Sequence, residues 1–586
     1  MDQKRLLLAI TLSLAILVVF QVVIDKFLPH PAPAPAQVSG PASAPAPAQT
    51  VTQPQHAAGA LGTGQAAPLG GPRLLVDAPK LAGSFALTGA VLDDIRLKDY
   101  HETISKTSPL VQILGRRGSA TPTYVQFGWD AATPGTAVPS DSTVWTASAP
   151  VLTPAAPVTL SWNNGAGLLF RLVITVDDNF MFTVRQQVVN QSASPVRLYP
   201  WSRVVRDYTP GDKTSYILHE GPLGVFNNTL KQLSYKTTRN DGANSPGGAA
   251  YTETSVGGWL GITDKYWLEA LVPEQSESLI GTIRCLPTTL GDGHAYQTDF
   301  ISAEPVSVAP GATGDFLMRA FTGAKLVDTL DAYAKQDHIP SFDKAIDFGW
   351  FYFITKPIFF ALDWLNSVLG NFGLAILVFT IGVKLLFFPL ANYSYRSMAK
   401  MKTVAPKLKA IRDKYPDDAV KAQQETMAIY KAEKINPASG CLPLIVQIPV
   451  FFSLYKVIYI TIEMRQAPFY GWIHDLSAPD PTNVFNLFGL IPFNPAALSP
   501  FLAVGALPLI MGFTMYLQQK LNPAPPDPVQ ARMFQFMPVM FTFMLARFPA
   551  GLVLYWTWNN LLTVGQQWLI MRRAAPPREK PALVKP

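Results

Sequence analysis

Residues 371–391 read NFGLAILVFTIGVKLLFFPLA, an apolar run that contains a single charged side chain, Lys384. A helix needs about 20 such residues to cross the hydrocarbon core of a bilayer. An ammonium at that depth costs roughly 2.5–3.5 kcal/mol and usually faces a polar cavity or partner. Thr380 lies one helical turn earlier, on the same face. The run therefore predicts a membrane-spanning helix with a narrow polar stripe; a lysine that snorkels to the nearer interface is the alternative.

The composition of the chain favours a membrane protein with a soluble portion. Of its 586 residues, 48% are hydrophobic and 15% are charged, whereas soluble domains contain about 25% charged residues. The net charge of +7 matters through its distribution, because basic residues mark the cytoplasmic side. The two cysteines, Cys285 and Cys441, are predicted to lie on opposite sides of the membrane and show no metal or redox spacing. We therefore expect no disulfide, no bound metal and no cofactor.

The first 28 residues are predicted to form an uncleaved transmembrane anchor. Lys4 and Arg5 precede an apolar run from Leu6 to Phe20, which extends beyond the apolar part of most signal peptides. A cleaved signal peptide is the alternative. The two basic residues place the N-terminus in the cytoplasm. Residues 29–73 are rich in proline and alanine, a composition typical of an extended linker that cannot form a core.

Residues 74–340 contain short β-branched and aromatic runs separated by turn residues, which predicts an all-β sandwich. The clearest hairpin pairs Leu168–Val176 with Phe180–Val189 across Asp177-Asp178-Asn179. Further strand candidates are Phe85–Leu92, Trp259–Ile262 and Tyr266–Val272.

The sequence shows no pattern typical of an enzyme active site. His101-Glu102 and His219-Glu220 could belong to a sugar-processing site, but adjacency in sequence does not make a catalytic geometry. No paired-carboxylate or nucleophile signature accompanies them. No Walker-type GxxxxGK[ST], HExxH or GxSxG pattern occurs in the sequence either. The chain is therefore predicted not to be an enzyme.

Residues 341–370 are aromatic but are interrupted by Lys356, Pro357 and Asp363. We predict an amphipathic helix that lies in the outer membrane interface. A further span here would invert the region that follows, residues 392–440, whose lysines and arginines belong on the cytoplasmic side.

Residues 397–436 are predicted to form a cytoplasmic helical hairpin. Tyr415-Pro416 breaks the first helix, and Asp417 or Asp418 can cap the second. Either the charges of the first helix only fix the topology, or that helix docks an acidic or RNA-bearing partner. The candidate docking residues, which we name the basic arm, are Lys400, Lys402, Lys407, Lys409 and Arg412.

Four more apolar segments bring the prediction to six transmembrane helices. These four spans are Leu442–Ile462, Pro500–Leu517, Phe534–Leu545 and Gly551–Ile570. The membrane core thus covers residues 371–571, and residues 572–586 form a basic cytoplasmic tail.

Polar side chains recur inside these predicted spans. Those of the last span fall at helical spacing on one face, and Gln447 sits similarly within an earlier span. Together they predict one polar cavity, although hydrogen bonds between helices are the alternative explanation. The cavity residues predicted from the pattern are Thr380, Lys384, Gln447, Trp556, Asn559, Thr563 and Gln566.

Long motifs extend over the membrane part of the chain. They are SMAKM from Ser397, YKAEKINPASGCLPLIVQIP from Tyr430, EMRQAPF from Glu463, WIHDLSAPDP from Trp472 and FPAGLVLYW from Phe548. In these motifs the chain resembles the YidC-type membrane protein insertases (the YidC/Oxa/Alb family). The β domain matches more weakly, through Gly257-Gly258-Trp259 and the junction around Trp350 to Gly373. The resemblance is to the Gram-negative form, in which the large periplasmic domain is a β-sandwich similar to sugar-mutarotase folds.

The resemblance implies an α-helical polytopic membrane protein in which five of the six helices form a hydrophilic groove. The groove would open to the cytoplasm and to lipid and be closed to the periplasm. The family often has an arginine where this chain has Lys384. Lysine keeps the positive charge, but it cannot form the two parallel hydrogen bonds by which a guanidinium binds a carboxylate. Members of this family are known for a pair of tyrosines at the positions where this chain has Tyr555-Trp556. Both residues therefore join the predicted substrate-binding groove.

The resemblance also implies an activity. The chain would insert integral membrane proteins into the bacterial inner membrane, and help them fold and assemble, alone or with the Sec translocon (SecYEG, SecDF). Its partners would be nascent membrane proteins, the phospholipid bilayer, and the ribosome and signal recognition particle pathway, reached through the hairpin and the basic tail. A secondary transporter and a membrane-anchored periplasmic sugar-binding protein are the alternatives, although we find no paired internal repeats.

Overall fold

The computed structural model describes residues 71–211, 218–416, 418–436, 439, 442–493, 495–499, 502–522 and 528–574. The predicted N-terminal anchor, nearly all of the proline-rich linker, Cys441 and residues 575–586 of the predicted tail lie outside these ranges.

Within the described residues, twenty strands (β1 to β20) precede the long helices. In chain order they are Arg73–Asp77, Leu81–Ala86, Val91–His101, Leu110–Leu114, Thr123–Ala131, Thr146–Ala147, Val151–Leu152, Val158–Asn163, Leu168–Val176, Met181–Asn190, Val196–Arg206, Gly221–Phe226, Thr229–Gln232, Ala249–Val256, Trp259–Thr263, Trp267–Pro273, Ser278–Pro287, His294–Ser302, Val306–Val308 and Thr313–Ala324. One sheet has the order β14-β17-β18-β11-β5-β3-β2-β1-β7, with β4 beside β3 and β19 beside β11. The other has the order β13-β12-β15-β16-β20-β10-β9-β8-β6.

The hairpin of β9 and β10 shows how the sequence directs this domain. Alternate side chains of β9 are buried along its whole length, as expected for a strand with one face on a core. Val176 pairs with Phe182, and the register continues from there without a bulge. In the turn, Asp177 Oδ1 accepts hydrogen bonds from the N–H groups of Asn179 (2.9 Å) and Met181 (3.0 Å). The predicted hairpin is confirmed.

The two sheets enclose an aromatic core, so the predicted β-sandwich is confirmed. Phe85 of one sheet meets Phe182 of the other edge-to-face, with ring centroids 6.0 Å apart. One strand prediction is wrong. The segment Phe85–Leu92 is not a single strand, because Gly89 (φ 78°) and Ala90 (φ 50°) take left-handed conformations between β2 and β3.

The helices of the described residues, α1 to α11, follow almost entirely after the sheets. They are Tyr235–Gly242, Val327–Gln336, Tyr352–Leu369, Phe372–Leu386, Phe388–Lys414, Ala419–Ala432, Leu442–Ile460, Pro495–Leu498, Ala506–Leu521, Pro528–Leu545 and Ala550–Ala574. Helix α11 packs against α4, α5, α7 and α9 and so forms the centre of the helical part.

The predicted continuous helix over 371–391 is wrong at its C-terminal end. Helix α4 stops at Leu386 and α5 starts at Phe388, with a bend of 68° between them. Pro389 explains the break, because it has no N–H to donate to the carbonyl of Leu385 and its ring would clash with that carbonyl. Phe387 lies between the helices with φ −92° and ψ 12°, and its N–H bonds to the carbonyls of Val383 and Leu385.

Length and composition mark the bent pair α4 and α5 as the one combination that could cross a membrane, counting only the described residues. No single described helix meets that criterion. Shorter apolar stretches occur at Ile445–Ile460 and Ala531–Leu545. The predicted spans after residue 440 each correspond to a helix, although their ends shift by up to six residues.

The predicted hairpin and the preceding amphipathic segment also form helices, with different limits. Helix α3 covers only Tyr352–Leu369 of the predicted 341–370, because a short 3-10 helix (Phe342–Ala345) and an irregular segment precede it. The first arm of the hairpin is part of α5, which begins well before residue 397 because nothing interrupts it after the bend. The chain turns after Lys414, and Asp418 Oδ1 accepts a hydrogen bond from Lys421 N–H at 3.0 Å. Asp418, one of the two predicted candidates, therefore caps α6.

Candidate functional site

A groove opens between α4, α5, α7 and α11. Its volume is about 520 Å³, counting the space that is open to its surroundings. Seven of its fourteen lining residues have polar side chains. The lining residues are Thr380, Val383, Lys384, Phe387, Leu390, Ala391, Tyr395, Pro443, Val446, Gln447, Val450, Tyr555, Asn559 and Gln566.

Lys384 lies in the last turn of α4, and its ammonium reaches across the groove to α11. Nζ donates a hydrogen bond to Thr563 Oγ1 at 2.8 Å. The Thr563 hydroxyl in turn donates to the carbonyl of Asn559 at 2.7 Å, which fixes its orientation. Among the residues that the structure describes, no carboxylate lies within ion-pair distance of Lys384. The ammonium is thus held by a neutral group and is not paired with any carboxylate of the described residues.

Four other predicted residues contribute to the polar wall around this cation. Thr380 is buried on the same face of α4, and its hydroxyl donates to the carbonyl of Ile376 at 2.6 Å. The side chains of Gln447 and Tyr555 are hydrogen-bonded to each other across α7 and α11. Gln566 Nε2 lies 3.5 Å from the carbonyl of Lys384, while its Oε1 is buried without a partner in the described structure.

Two predicted residues do not line the groove. Thr563 lies behind Lys384 and acts as its hydrogen-bond partner. Trp556 packs between Phe451 and Phe541, with ring centroids 4.7 and 5.6 Å away. The reason is angular: at about 100° per residue, Trp556 lies about 80° around α11 from Gln566. The polar face predicted on α11 is therefore too wide. The part of it that faces the groove is centred on the residues that line the groove.

Sequence reasoning missed one polar residue of the wall, Tyr395. It lies in α5, is 6% exposed, and its hydroxyl is hydrogen-bonded to Thr563. The sequence predicts that residues 392–440 are cytoplasmic, because nothing in the sequence analysis indicates the bend at Phe387. The sequence does contain a signal for a shared face, since Ala391, Tyr395 and Met398 recur at helical spacing. In the structure all three are buried.

Comparison with known proteins identifies the family. Residues 73–361 match the family model described as the YidC periplasmic domain, and residues 364–577 match that described as the 60Kd inner membrane protein. A relative from Granulibacter bethesdensis, "Membrane protein insertase YidC", is 54% identical over 589 residues and covers 100% of both chains. A relative of the same name from Acidiphilium cryptum is 55% identical, covering 98% of each chain.

The chain belongs to the YidC membrane protein insertase family. A solved structure described as an active YidC insertase with the first transmembrane domain resolved is 17% identical, with a TM-score of 0.34, covering 84% of this chain and 94% of that chain. The two relatives of 54% and 55% identity confirm the resemblance seen in the sequence motifs.

The basic arm of this YidC-family chain divides into two parts. Lys402 is half-buried and donates to the carbonyl of Leu521 at the C-terminal end of α9, so it connects the arm to the helical core. The other four members are exposed. Lys407 forms an ion pair of 2.7 Å with Glu433, also exposed, on the far side of the hairpin. We call Lys407, Lys409 and Arg412 the outer arm.

The loop after α7 joins the helical part to the β-sandwich, which the sequence did not reveal. Arg465 Nη2 donates to the carbonyl of His101 at 2.7 Å, and the guanidinium lies 5.5 Å from the Trp267 ring centroid. Glu463 Oε1 accepts a hydrogen bond of 3.1 Å from Val327 N–H, the first N–H of α2. Burial raises the pKa of Glu463 to about 7. Lys456 of α7 also forms a 2.9 Å ion pair with Asp347, in the segment between the β-sandwich and α3.

The two histidine-glutamate pairs considered in the β domain make structural contacts. His101 Nδ1 lies 2.7 Å from the carbonyl of Ser108, and His219 Nε2 lies 3.1 Å from the carbonyl of Pro222. Burial lowers the pKa of His219. Glu220 accepts a hydrogen bond of 3.0 Å from the backbone N–H of Lys265. No cluster of three metal-ligating side chains occurs within the described ranges.

Proposed function

We propose that this chain inserts membrane proteins into the bacterial inner membrane, using the groove between α4, α5, α7 and α11 as the binding site for the polar tail of the substrate. The observation that carries the proposal is the ammonium of Lys384, which the described residues hold with the Thr563 hydroxyl and no carboxylate. A cation that costs free energy to place at this depth requires a compensating interaction. An acidic or polar substrate tail supplies it.

The polar wall lowers the barrier for such a tail. A polar segment that enters bare hydrocarbon loses its hydrogen bonds to water, at several kcal/mol per group. The groove offers replacement partners, among them the unpaired Oε1 of Gln566 and the side chains of Gln447 and Tyr555. The burial of the substrate's own apolar segment then drives insertion. The substrate's apolar segment leaves the groove along the third and fifth of the six proposed spans, which are α7 and α10.

The topology in this proposal has six spans. The N-terminal anchor begins in the cytoplasm, the β-sandwich is periplasmic, and α3 lies in the outer interface. The hairpin of α5 and α6 and the basic tail are cytoplasmic, as their lysines and arginines favour. We assign no catalytic step to any residue, because transfer of a segment into lipid breaks no covalent bond.

Partners follow from the same topology. Nascent membrane proteins and the phospholipid bilayer contact the groove. The outer arm and the basic tail dock the ribosome and the signal recognition particle pathway through their positive charge. Insertion alongside the Sec translocon (SecYEG, SecDF) uses the same groove. The proposed opening of the groove to lipid lets a substrate pass between the translocon and this chain.

The test is an insertion assay in proteoliposomes with paired substrates that differ only in the charge of the translocated tail. Lys384→Arg keeps the cation and should preserve insertion of both substrates. Lys384→Met keeps the length of the stem but removes the charge, and should slow the acidic-tailed substrate most. Lys384→Glu should slow it further through repulsion. Lys520→Met, at the last turn of α9, is the matched control.

The expected loss for Lys384→Met on the acidic tail is about tenfold in initial rate, or about 1.4 kcal/mol. Coulomb's law allows this, since two charges 4 Å apart attract by roughly 4 kcal/mol at an effective dielectric constant of about 20. Equal rates for Lys384→Met and the unmodified protein on the acidic-tailed substrate, at matched protein levels, would refute the role of Lys384.

A further inference from the structure

Residues 484–493, which precede α9, expose large apolar side chains over almost their whole length. We name this segment the apolar loop. Leu490 is 83% exposed, Phe488 56% and Leu487 53%. A soluble protein rarely presents such a contiguous apolar surface to water without a partner. The exposed large hydrophobic residues of the apolar loop are Phe485, Leu487, Phe488, Leu490, Ile491 and Phe493.

Most backbone N–H groups of the apolar loop are hydrogen-bonded to oxygens of the loop, of Asn483 or of Val504. Seven N–H groups between residues 484 and 493 donate to oxygens of the chain itself. Asn486 is central to this arrangement, because its side chain accepts from the N–H of Gly489 at 2.9 Å and donates to the carbonyl of Phe493 at 3.3 Å. Internal pairing of backbone groups is what hydrocarbon demands of a segment, since no water is present there to replace the partners.

The base of the apolar loop is fixed to the first turn of α9. Asp480 Oδ2 accepts a hydrogen bond of 2.7 Å from Leu507 N–H, and Thr482 Oγ1 accepts one of 2.9 Å from Ala506 N–H. The loop thus extends from the capped end of this helix as a compact unit. Leu487 (φ 51°) and Phe488 (φ 60°) have a left-handed backbone, which is rare for bulky residues.

The apolar loop is continuous in composition with the exposed face of α9. No charged side chain occurs between Asp480 and Lys520. Helix α9 has 16 residues, which at 1.5 Å per residue span about 24 Å, short of the roughly 30 Å of a hydrocarbon core. Its exposed side chains Leu509, Ile510 and Phe513 are apolar as well. The loop extends this apolar surface beyond the end of the helix.

We infer that the apolar loop is inserted among the acyl chains of the bilayer beside the N-terminal end of α9, as a second membrane contact that completes this short helix. Lipid fits the observations better than a protein partner does. A protein interface has a polar rim and charged residues around its apolar centre, whereas the apolar loop has no charge within it. Phenylalanine and leucine suit the acyl region, and the loop lacks the tryptophan and tyrosine of the headgroup level.

The test places an environment-sensitive fluorophore at Leu490→Cys in the full chain, with Cys285 and Cys441 replaced by alanine, in phosphatidylcholine proteoliposomes. Lipids brominated near the top of the acyl chains report contact with hydrocarbon, and iodide, present on both sides, reports contact with water. The matched control is Leu75→Cys, an exposed leucine on β1 of the sandwich. A second position, Phe485→Cys, guards against a local effect of one substitution.

We expect a blue-shifted emission at positions 490 and 485, a large loss of fluorescence with brominated lipid and little loss with iodide. The label at position 75 should show the opposite pattern. If iodide quenches the labels of the apolar loop as strongly as the label at position 75, and brominated lipid does not quench them, the loop lies in water. It would then be a surface for a protein partner, and the inference would be wrong.

Discussion

Replacing Glu463 by glutamine should change how the stability of the protein depends on pH. Glu463 is half-buried where the loop after α7 meets the β-sandwich, and one of its oxygens, Oε2, is buried without a partner in the described structure. Burial raises its pKa to about 7, and the carboxylates of Asp363 and Asp328 add to the effect. Glutamine has the same shape, keeps an oxygen for the N–H of Val327, and does not ionise.

The direction follows from proton binding. An unfolded glutamate loses its proton near pH 4.5, whereas Glu463 in the folded protein keeps it up to about pH 7. Between these values the folded state binds more protons, so the free energy of unfolding falls as the pH rises. A shift of this size corresponds to at most about 3 kcal/mol. Solvent that still reaches the half-buried side chain reduces this to about 1–2 kcal/mol.

The measurement is thermal unfolding of purified protein in detergent, followed by tryptophan fluorescence from pH 5 to 8. Glu463→Gln should have nearly the same Tm as the unmodified protein at pH 5 and a Tm higher by a few degrees at pH 8. Glu425→Gln, an exposed carboxylate on α6, is the control and should leave the curve unchanged. Parallel curves for Glu463→Gln and the unmodified protein would show that the pKa of this carboxyl group is the same in the folded and unfolded states, and the reasoning would be refuted.

Two other predictions concern the helical part. Gly512→Ala would place a Cβ 2.0 Å from Thr542 Oγ1 and force α9 and α10 apart, so Tm should fall. In the control variant Gly565→Ala the new Cβ meets nothing within 4 Å, so Tm should stay unchanged or rise. Equal Tm values for the two variants would contradict the close packing of α9 against α10. Reversing the charges of the outer arm to glutamate should weaken co-sedimentation with ribosomes, most strongly at low salt. Binding that is unchanged at low salt would mean that these charges only set the topology.

Much of the fold could be predicted because the local signals and the tertiary structure agree. The β9–β10 hairpin combines strict alternation with an aspartate that closes its own turn, so its register needs no distant information. The hairpin of α5 and α6 has a break and a cap in the sequence itself. The segment Phe85–Leu92 failed because Ala90 adopts a left-handed conformation that no composition rule predicts.

The candidate site was only partly predictable, because its geometry depends on how α11 is rotated and where α4 ends. Helical spacing identified a polar face on α11 but not its centre, so Trp556 was included although it packs against Phe451. Tyr395 was missed because its place in the groove follows from the bend at Phe387. Likewise, the contact of Arg465 with His101 joins residues more than three hundred positions apart. Such contacts follow from packing and leave no local pattern.

The bend between α4 and α5 has an electrostatic consequence for the groove. Because α4 ends at Leu386, Lys384 lies in its last turn, where the aligned peptide dipoles of a helix produce about half a negative charge. This partial charge is spread over backbone carbonyls, and one of them is capped by Gln566. The helix end therefore stabilises the ammonium without forming an ion pair with it. A straight helix through residue 391 would place Lys384 in mid-helix, away from this partial negative charge.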